Sequence, residues 1–322
     1  IRKSDISMSK YIYKQILISL RLNPSHQNNR IQLREQLDFA TILYKKGLYK
    51  QALKILDKAK QSALELDEKG IASEIIELEK VIESQFITRS IDGRADELIL
   101  QSSKISQQNL YATQLSNLSL KLYSEMLTHG YIKNDNDREN ILNFFDSIIK
   151  NIDLKKLNFT EKLWYYKAHV WKNQLLQDYK YTIKYAYQWV ELFHQNPEMI
   201  KNHPVWYIKG NTYLFKILFI YGSIKGIEKR FEKFESIVKS DAFIHNENSQ
   251  SLIFLNYYNT KMNLYFIKGD FFNGTKMIPE LEIKIEKHRD KIDEHHFLVL
   301  YLKIAAMFFG SKNYQNTVKY GQ

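Results

Sequence analysis

A short pattern recurs along this chain at nearly even spacing, and that period restricts the fold more than any single residue does. Its clearest instance is Lys46-Gly47-Leu48-Tyr49-Lys50-Gln51-Ala52, followed by Leu56 and Ala59. Weaker echoes are Lys268-Gly269-Asp270-Phe271 with Gly274, Lys312-Asn313-Tyr314 with Thr317, and Gln177-Asp178-Tyr179 with Thr182. Aligning Ala52, Ala95, Thr182, Ile227, Gly274 and Thr317 gives steps of 43, 87 (two periods), 45, 47 and 43 residues. Repeats of this length form stacked arrays, in which each unit buries its apolar stripe against the next. The expected fold is all-α: an α-α superhelix, a solenoid of about seven antiparallel helix pairs. One array is expected over the whole chain, with a capping helix at 1–27 and repeats at 28–322. The start at Ile1-Arg2-Lys3 has no initiator Met and the end falls inside a second helix, so a longer natural protein is expected.

Hydrophobic residues at 44% supply ample material to bury, while four Pro and 11 Gly are too few for a β protein with many tight turns. Cysteine is absent, which excludes disulfides, thiolate metal sites and a Cys nucleophile. The longest dense apolar stretch, Tyr213 to Ile224, is interrupted by Lys216 and Gly222, so no membrane span is expected. With no signal-peptide core either, the expected compartment is the cytoplasm.

The net charge of +11 is uneven: residues 162–239 hold 13 Lys/Arg against six Asp/Glu. A basic tract attracts acidic peptides, nucleic acid or anionic lipid. Yet 38 of the 47 basic residues are Lys, whereas base and phosphate recognition leans on the forked Arg guanidinium. A solvated Lys-rich face is the plainer reading.

Nearly every segment has helical spacing. Met8, Tyr11, Ile12, Ile16 and Leu20 share one stripe, and Pro24 should stop that helix. Leu33, Leu37, Ala40 and Tyr44 mark the next, stopped at Gly47; Leu53, Leu56, Ala59, Ala63 and Leu66 mark a third, closed near Lys69-Gly70. Further helices are predicted at 71–88, 92–106, 108–129, 137–151, 159–177, 179–195, 205–221, 224–239, 249–268, 271–291, 293–310 and from 313 onward. Asn134-Asp135-Asn136-Asp137 reads as a helix N-cap, and Pro279 should kink 271–291 or break it after Met277.

The pattern Gly-x-Tyr-x-x-Ala-x-x-x-Leu-x-x-Ala at 47–59 resembles the second-helix signature of tetratricopeptide repeats, with Ala40 on the family's other small position. Two antiparallel helices approach closely only where both side chains are small. Ala305 with Thr317 keeps that pair, and Val170 with Thr182 and Met262 with Gly274 keep it loosely. Phe215 with Ile227 and Glu83 with Ala95 break it, and these units are longer than the family's usual 34 residues, as in divergent members from bacterial regulators. The resemblance implies a concave wall of first helices that holds a peptide or partner helix. Carried over, its groove positions are Trp164, Lys167, Trp171, Gln174 and Leu175, with Arg34, Leu37, Thr41 and Tyr44 in the first unit and Lys209 and Lys216 in a later one. A Lys between two Trp would suit an acidic or aromatic side chain. The alternative places both Trp in the core between neighbouring helices.

No sequence motif supplies chemistry. Walker, Rossmann and nucleophile-elbow patterns are absent, and the adjacent His295 and His296 cannot share a helix face for one metal. His169 falls where the repeat expects an apolar residue, so a buried, hydrogen-bonded imidazole is expected. Glu65, Asp67, Glu68, Glu74, Glu77, Glu79 and Glu83 read as a solvated acidic face beside Lys69 and Lys80. Tyr181, Tyr185 and Trp189 repeat every fourth residue, as repeat core or as a stacking platform for single-stranded nucleic acid. The expectation is therefore a non-catalytic scaffold without cofactor or metal, binding a protein or peptide, an acidic one suiting the charge. Alternatives are the sensor arm of a longer bacterial regulator and a nucleic-acid surface at 162–239.

Overall fold

The computed structural model describes residues 3–23, 28–85, 93–240, 243 and 246–322. Sixteen α-helices and no strand occur among them: α1 Lys3–Leu22, α2 Asn29–Lys45, α3 Tyr49–Glu65, α4 Lys69–Gln85, α5 Arg94–His129, α6 Asp135–Ile149, α7 Phe159–Leu175, α8 Tyr179–Gln195, α9 Glu198–Asn202, α10 Pro204–Ile220, α11 Ile224–Val238, α12 Glu247–Lys268, α13 Phe271–Thr275, α14 Ile278–His288, α15 Glu294–Gly310 and α16 Tyr314–Gly321. Two compact units form, residues 1–115 with 152–161 and residues 116–151 with 162–322. The Pro24 stop, the Met8 side chain, and residues 86–88 and 92 of the predicted helices lie outside what is described.

One turn joins the helix pairs. Besides Gly130 after α5, a residue in the left-handed region follows the helix by one or two positions at six turns: Gly47, Asp67, Gln177, Gly222, Gly269 and Lys312, with φ from 55° to 75°. The amide after it reaches back five residues to a helix carbonyl: Leu48 to Leu43 at 2.9 Å, Glu68 to Ala63 at 2.8 Å, Asp178 to Asn173 at 2.8 Å, Ser223 to Leu218 at 3.0 Å, Asp270 to Tyr265 at 3.1 Å and Asn313 to Phe308 at 2.9 Å. This is the Schellman arrangement, which satisfies carbonyls the helix end would otherwise leave bare. The next helix begins at once, so the chain doubles back. Asp178, Asp270 and Asn313 then cap it through their side chains.

In the first unit α2, α3 and α4 pack consecutively around Leu33, Ala40, Ala52, Leu56, Ala59, Ile71 and Ile75. Ala40 and Ala52, the expected small pair, are both fully buried. In the second unit α10 packs on α8, α11 and α12, α12 on α13 and α15, and α15 on α16, so consecutive pairs stack. Phe215 and Ile227, which break the small-residue rule, are both buried, and Phe215 packs edge-on to Phe231 and Phe234. Pro279 falls in the first turn of α14 after a break at Met277, as its missing N–H requires.

Three expectations need correction. Predicted helices at 92–106 and 108–129 are one helix, α5, because nothing between Arg94 and His129 breaks a helix: the stretch has no Gly or Pro. Ala95 is exposed in its first turn and fills no small contact position. The acidic stretch is a solvated face only in part: Glu65, Glu74 and Glu77 are exposed, whereas Glu79 and Asp67 are drawn into ion pairs. Glu79 is fully buried, its carboxylate 2.6 Å from Lys60 Nζ and 3.4 Å from the Arg94 guanidinium. Lys69, 5% exposed, pairs with Asp67 at 2.5 Å and with Glu161 at 2.8 Å, and Asp67 also accepts the Thr160 amide at 2.7 Å. Asp67 in its left-handed turn thus uses a side chain that Gly lacks. Among helix α1's described side chains, 9 to 22, every one is exposed, including Tyr11, Ile12, Ile16 and Leu20.

The turn and the buried pair each give a test. Replacing the exposed Gln177 or Lys312 by Gly should stabilise the chain by about 0.5–1 kcal/mol, read from denaturant midpoints, because the left-handed backbone penalty disappears; Gly222→Ala should cost about 1 kcal/mol. Glu79→Ala should cost about 3–5 kcal/mol by stranding Lys60, whereas the double change Lys60→Met with Glu79→Leu should recover most of it.

Candidate functional site

Trp164 and Lys167 lie three residues apart on α7 and so share one face. A further wall comes from α10: Pro204 opens that helix and places Trp206 in its first turn. Lys167 Nζ sits 3.4 Å from the centroid of the Trp206 ring and 3.5 Å from that of Trp164. The two indoles meet edge to face at 5.5 Å. Trp189 of α8, fully buried, lies 5.8 Å from the same ammonium. Its indole rests on Gly210, where a Cβ would come within 2.9 Å of Nε1. A larger residue at 210 would push Trp189 off α10.

Lys167 is only 5% exposed, and the ion pairs described in this unit engage other residues: Lys121–Glu125, Lys239–Glu235 and Lys268–Glu228 among them. Ring faces attract a cation by up to about 2 kcal/mol each when desolvated. Removing an ammonium from water costs several kcal/mol, so the faces offset only part of it. Burial, with Lys209 adding repulsion, therefore pushes the Lys167 ammonium down to about 6. At neutral pH it is mostly an amine.

The remaining expected groove residues separate. Lys209 is half-buried, its Nζ 6.0 Å from the Trp206 ring, and Lys216 is exposed on the same helix. Trp171 faces inward, 8% exposed, packed 4.7 Å from Tyr123 and 5.1 Å from Tyr213, with Leu175 buried in the same cluster. Gln174 is half-buried. In the first unit Arg34 pairs with Glu74 at 3.4 Å, and Tyr44 donates to Gln85 at 2.6 Å. The structure thus brings Trp164, Lys167 and Lys209 together and adds Trp206 and Trp189, which no local spacing connects to them.

His169 is buried, as expected, but not hydrogen-bonded: both ring nitrogens lack a partner. Its ring stacks on Tyr185 at 4.0 Å and 13°, with Phe145 and Tyr165 at 4.8 and 4.4 Å. Burial pushes it down to about 3, helped by Lys172 and Lys184, so it stays neutral. The Tyr181 stripe runs from solvent inward, with Tyr181 exposed, Tyr185 half-buried and Trp189 fully buried. Asn134 caps α6 by accepting the Asp137 amide at 2.8 Å.

Among the described residues no group of three or more acids or imidazoles is placed to hold a metal, and no helix is long and apolar enough to cross a membrane. No family model, curated protein or solved structure matches this chain.

The lowered Lys167 value has a signed consequence. Between about pH 6 and 10 the unfolded chain binds a proton here that the folded chain does not, so this group's contribution rises with pH, by at most about 1.4 kcal/mol per pH unit. Lys167→Met should raise stability at pH 7 and flatten that slope, measured as midpoint against pH beside the parent chain. An unchanged slope would mean that Lys167 stays charged.

Proposed function

We propose that this chain is a non-catalytic binding module of tetratricopeptide-like type, whose first helices in the second unit receive an acidic segment of a protein partner. One observation carries the reading. In the first unit Lys60, Lys69, Arg34 and Arg94 all have carboxylate partners. On the first helices of the second unit Lys167, Lys209 and Lys216 are in none of the described ion pairs, and Lys167 and Lys209 adjoin half-buried indoles, Lys167 those of Trp164 and Trp206 and Lys209 that of Trp206. A carboxylate brought from outside would offset the Lys209 charge that opposes protonation of Lys167. The half-exposed indoles supply contact area with few rotamers to freeze, and rigid helices present them without ordering cost.

Such a partner would restore charge to Lys167, so binding takes up protons and strengthens as pH falls from 8 toward 6. Tryptophan fluorescence and calorimetry with Asp/Glu-rich peptides that include an aromatic residue test this. Lys209→Glu and Lys216→Glu should each weaken binding about fivefold to twentyfold, about 1–2 kcal/mol, while Lys50→Glu in α3 leaves it unchanged. No saturable response to any such peptide at low salt sinks the reading. A response to single-stranded RNA alone, falling steeply with salt, would reassign the face to nucleic acid.

A further inference from the structure

A cavity of about 200 Å³ lies between α8, α10 and α11, away from the tryptophan cage. Tyr207 lines it, fully buried, and its hydroxyl has no hydrogen-bond partner. The neighbouring Asn211 amide is committed to the Tyr207 carbonyl at 2.9 Å. His194 also lines the cavity, with its side chain 10% exposed and Nδ1 3.3 Å from Glu191 Oε2. A carboxylate only accepts, so Nδ1 carries the proton and the buried, unpartnered Nε2 offers a lone pair. Burial, reinforced by Lys233 and Arg230 against the pull of Glu191, holds this imidazole below its usual range.

Three cations of α11, Lys229, Arg230 and Lys233, line the same space, facing one carboxylate, Glu191. None of the three is in a described ion pair, and Arg230 lies against the Tyr187 ring at 4.2 Å. The lining therefore combines net positive charge, a free hydroxyl donor, a free imidazole acceptor, and apolar walls from Val190, Leu214 and Phe234. Buried polar atoms left without partners are costly unless something fills them.

We propose that this cavity binds a small phosphate monoester. Its oxygens meet the α11 cations and the Tyr207 hydroxyl. The acidic P–OH, which a monoester keeps near pH 6, donates to His194 Nε2. The organic group lies along the apolar walls; a cavity of ~150 Å³ takes a benzene ring. A sulfate ester has the same shape but no proton for His194, so the site discriminates against it. These residues are distinct from the cage, and the assignment stands whether or not the peptide reading does.

Calorimetry on the full chain at pH 6 and low salt, with phenyl phosphate, phenyl sulfate and inorganic phosphate, tests it. One site is expected for phenyl phosphate, about tenfold or more tighter than phenyl sulfate. Tyr207→Phe and Arg230→Gln should each weaken it at least about fivefold. Lys229→Gln, at an exposed position where folding is not at stake, should weaken it as well, and Lys50→Gln should not. Absence of binding at millimolar phenyl phosphate, equal affinity for the sulfate, or indifference to Arg230→Gln and Lys229→Gln would overturn the site. Inorganic phosphate binding as tightly as phenyl phosphate would overturn the ester assignment.

Discussion

A single backbone hydrogen bond, from the residue after a left-handed turn position to a carbonyl five back, governs this architecture. It ends one helix and starts the next within three residues, so two apolar stripes are forced face to face before any side chain is chosen. Small residues then set how near the two axes come. Ala40 and Ala52 are both fully buried in one core, and Gly274 leaves room for the Met307 thioether. Where the small residue is lost, as at Phe215, edge-on aromatic rings fill the contact.

Much of this was legible in the sequence, for reasons particular residues make plain. Gly47, Gly222 and Gly269 announce their turns because only Gly takes positive φ without penalty. Asp67, Gln177 and Lys312 hide the same turn, since a cost of about 1 kcal/mol is small beside the packing it enables. Helix α5 runs unbroken where the period calls for two helices, because its residues encode no turn. Buried Glu79 looked like surface because its partners, Lys60 and Arg94, are 19 and 15 residues away. The cage was half visible: Trp164 and Lys167 share a face by spacing alone, while Trp206 arrives from another helix and carries no local signal. The His194–Tyr207 cavity was visible only as a stretch rich in Lys.

The two units treat buried cations by opposite means. Lys60 and Lys69 lie against carboxylates that are themselves almost wholly out of water. Lys167 meets aromatic faces and gives up its proton for most of the neutral range. Lys303 is intermediate: it donates to Asn259 and Asn263 at 2.9 and 2.8 Å, and burial brings it down only to about 8. Amide oxygens stabilise a cation more than indoles do and less than a carboxylate does. This gradient concentrates incomplete neutralisation on the helices that also carry the half-exposed indoles.

The stacking of His169 on Tyr185 has a spectroscopic consequence. An imidazole held nearly parallel to a phenol ring, with two more rings around it, sits deep in their magnetic shielding. Its carbon-bound protons should therefore resonate upfield of an unstacked imidazole's and hold still across the neutral range, since burial brings this ring down to about 3. The middle helices thus carry a native reporter of their own side-chain order, readable without label or substitution.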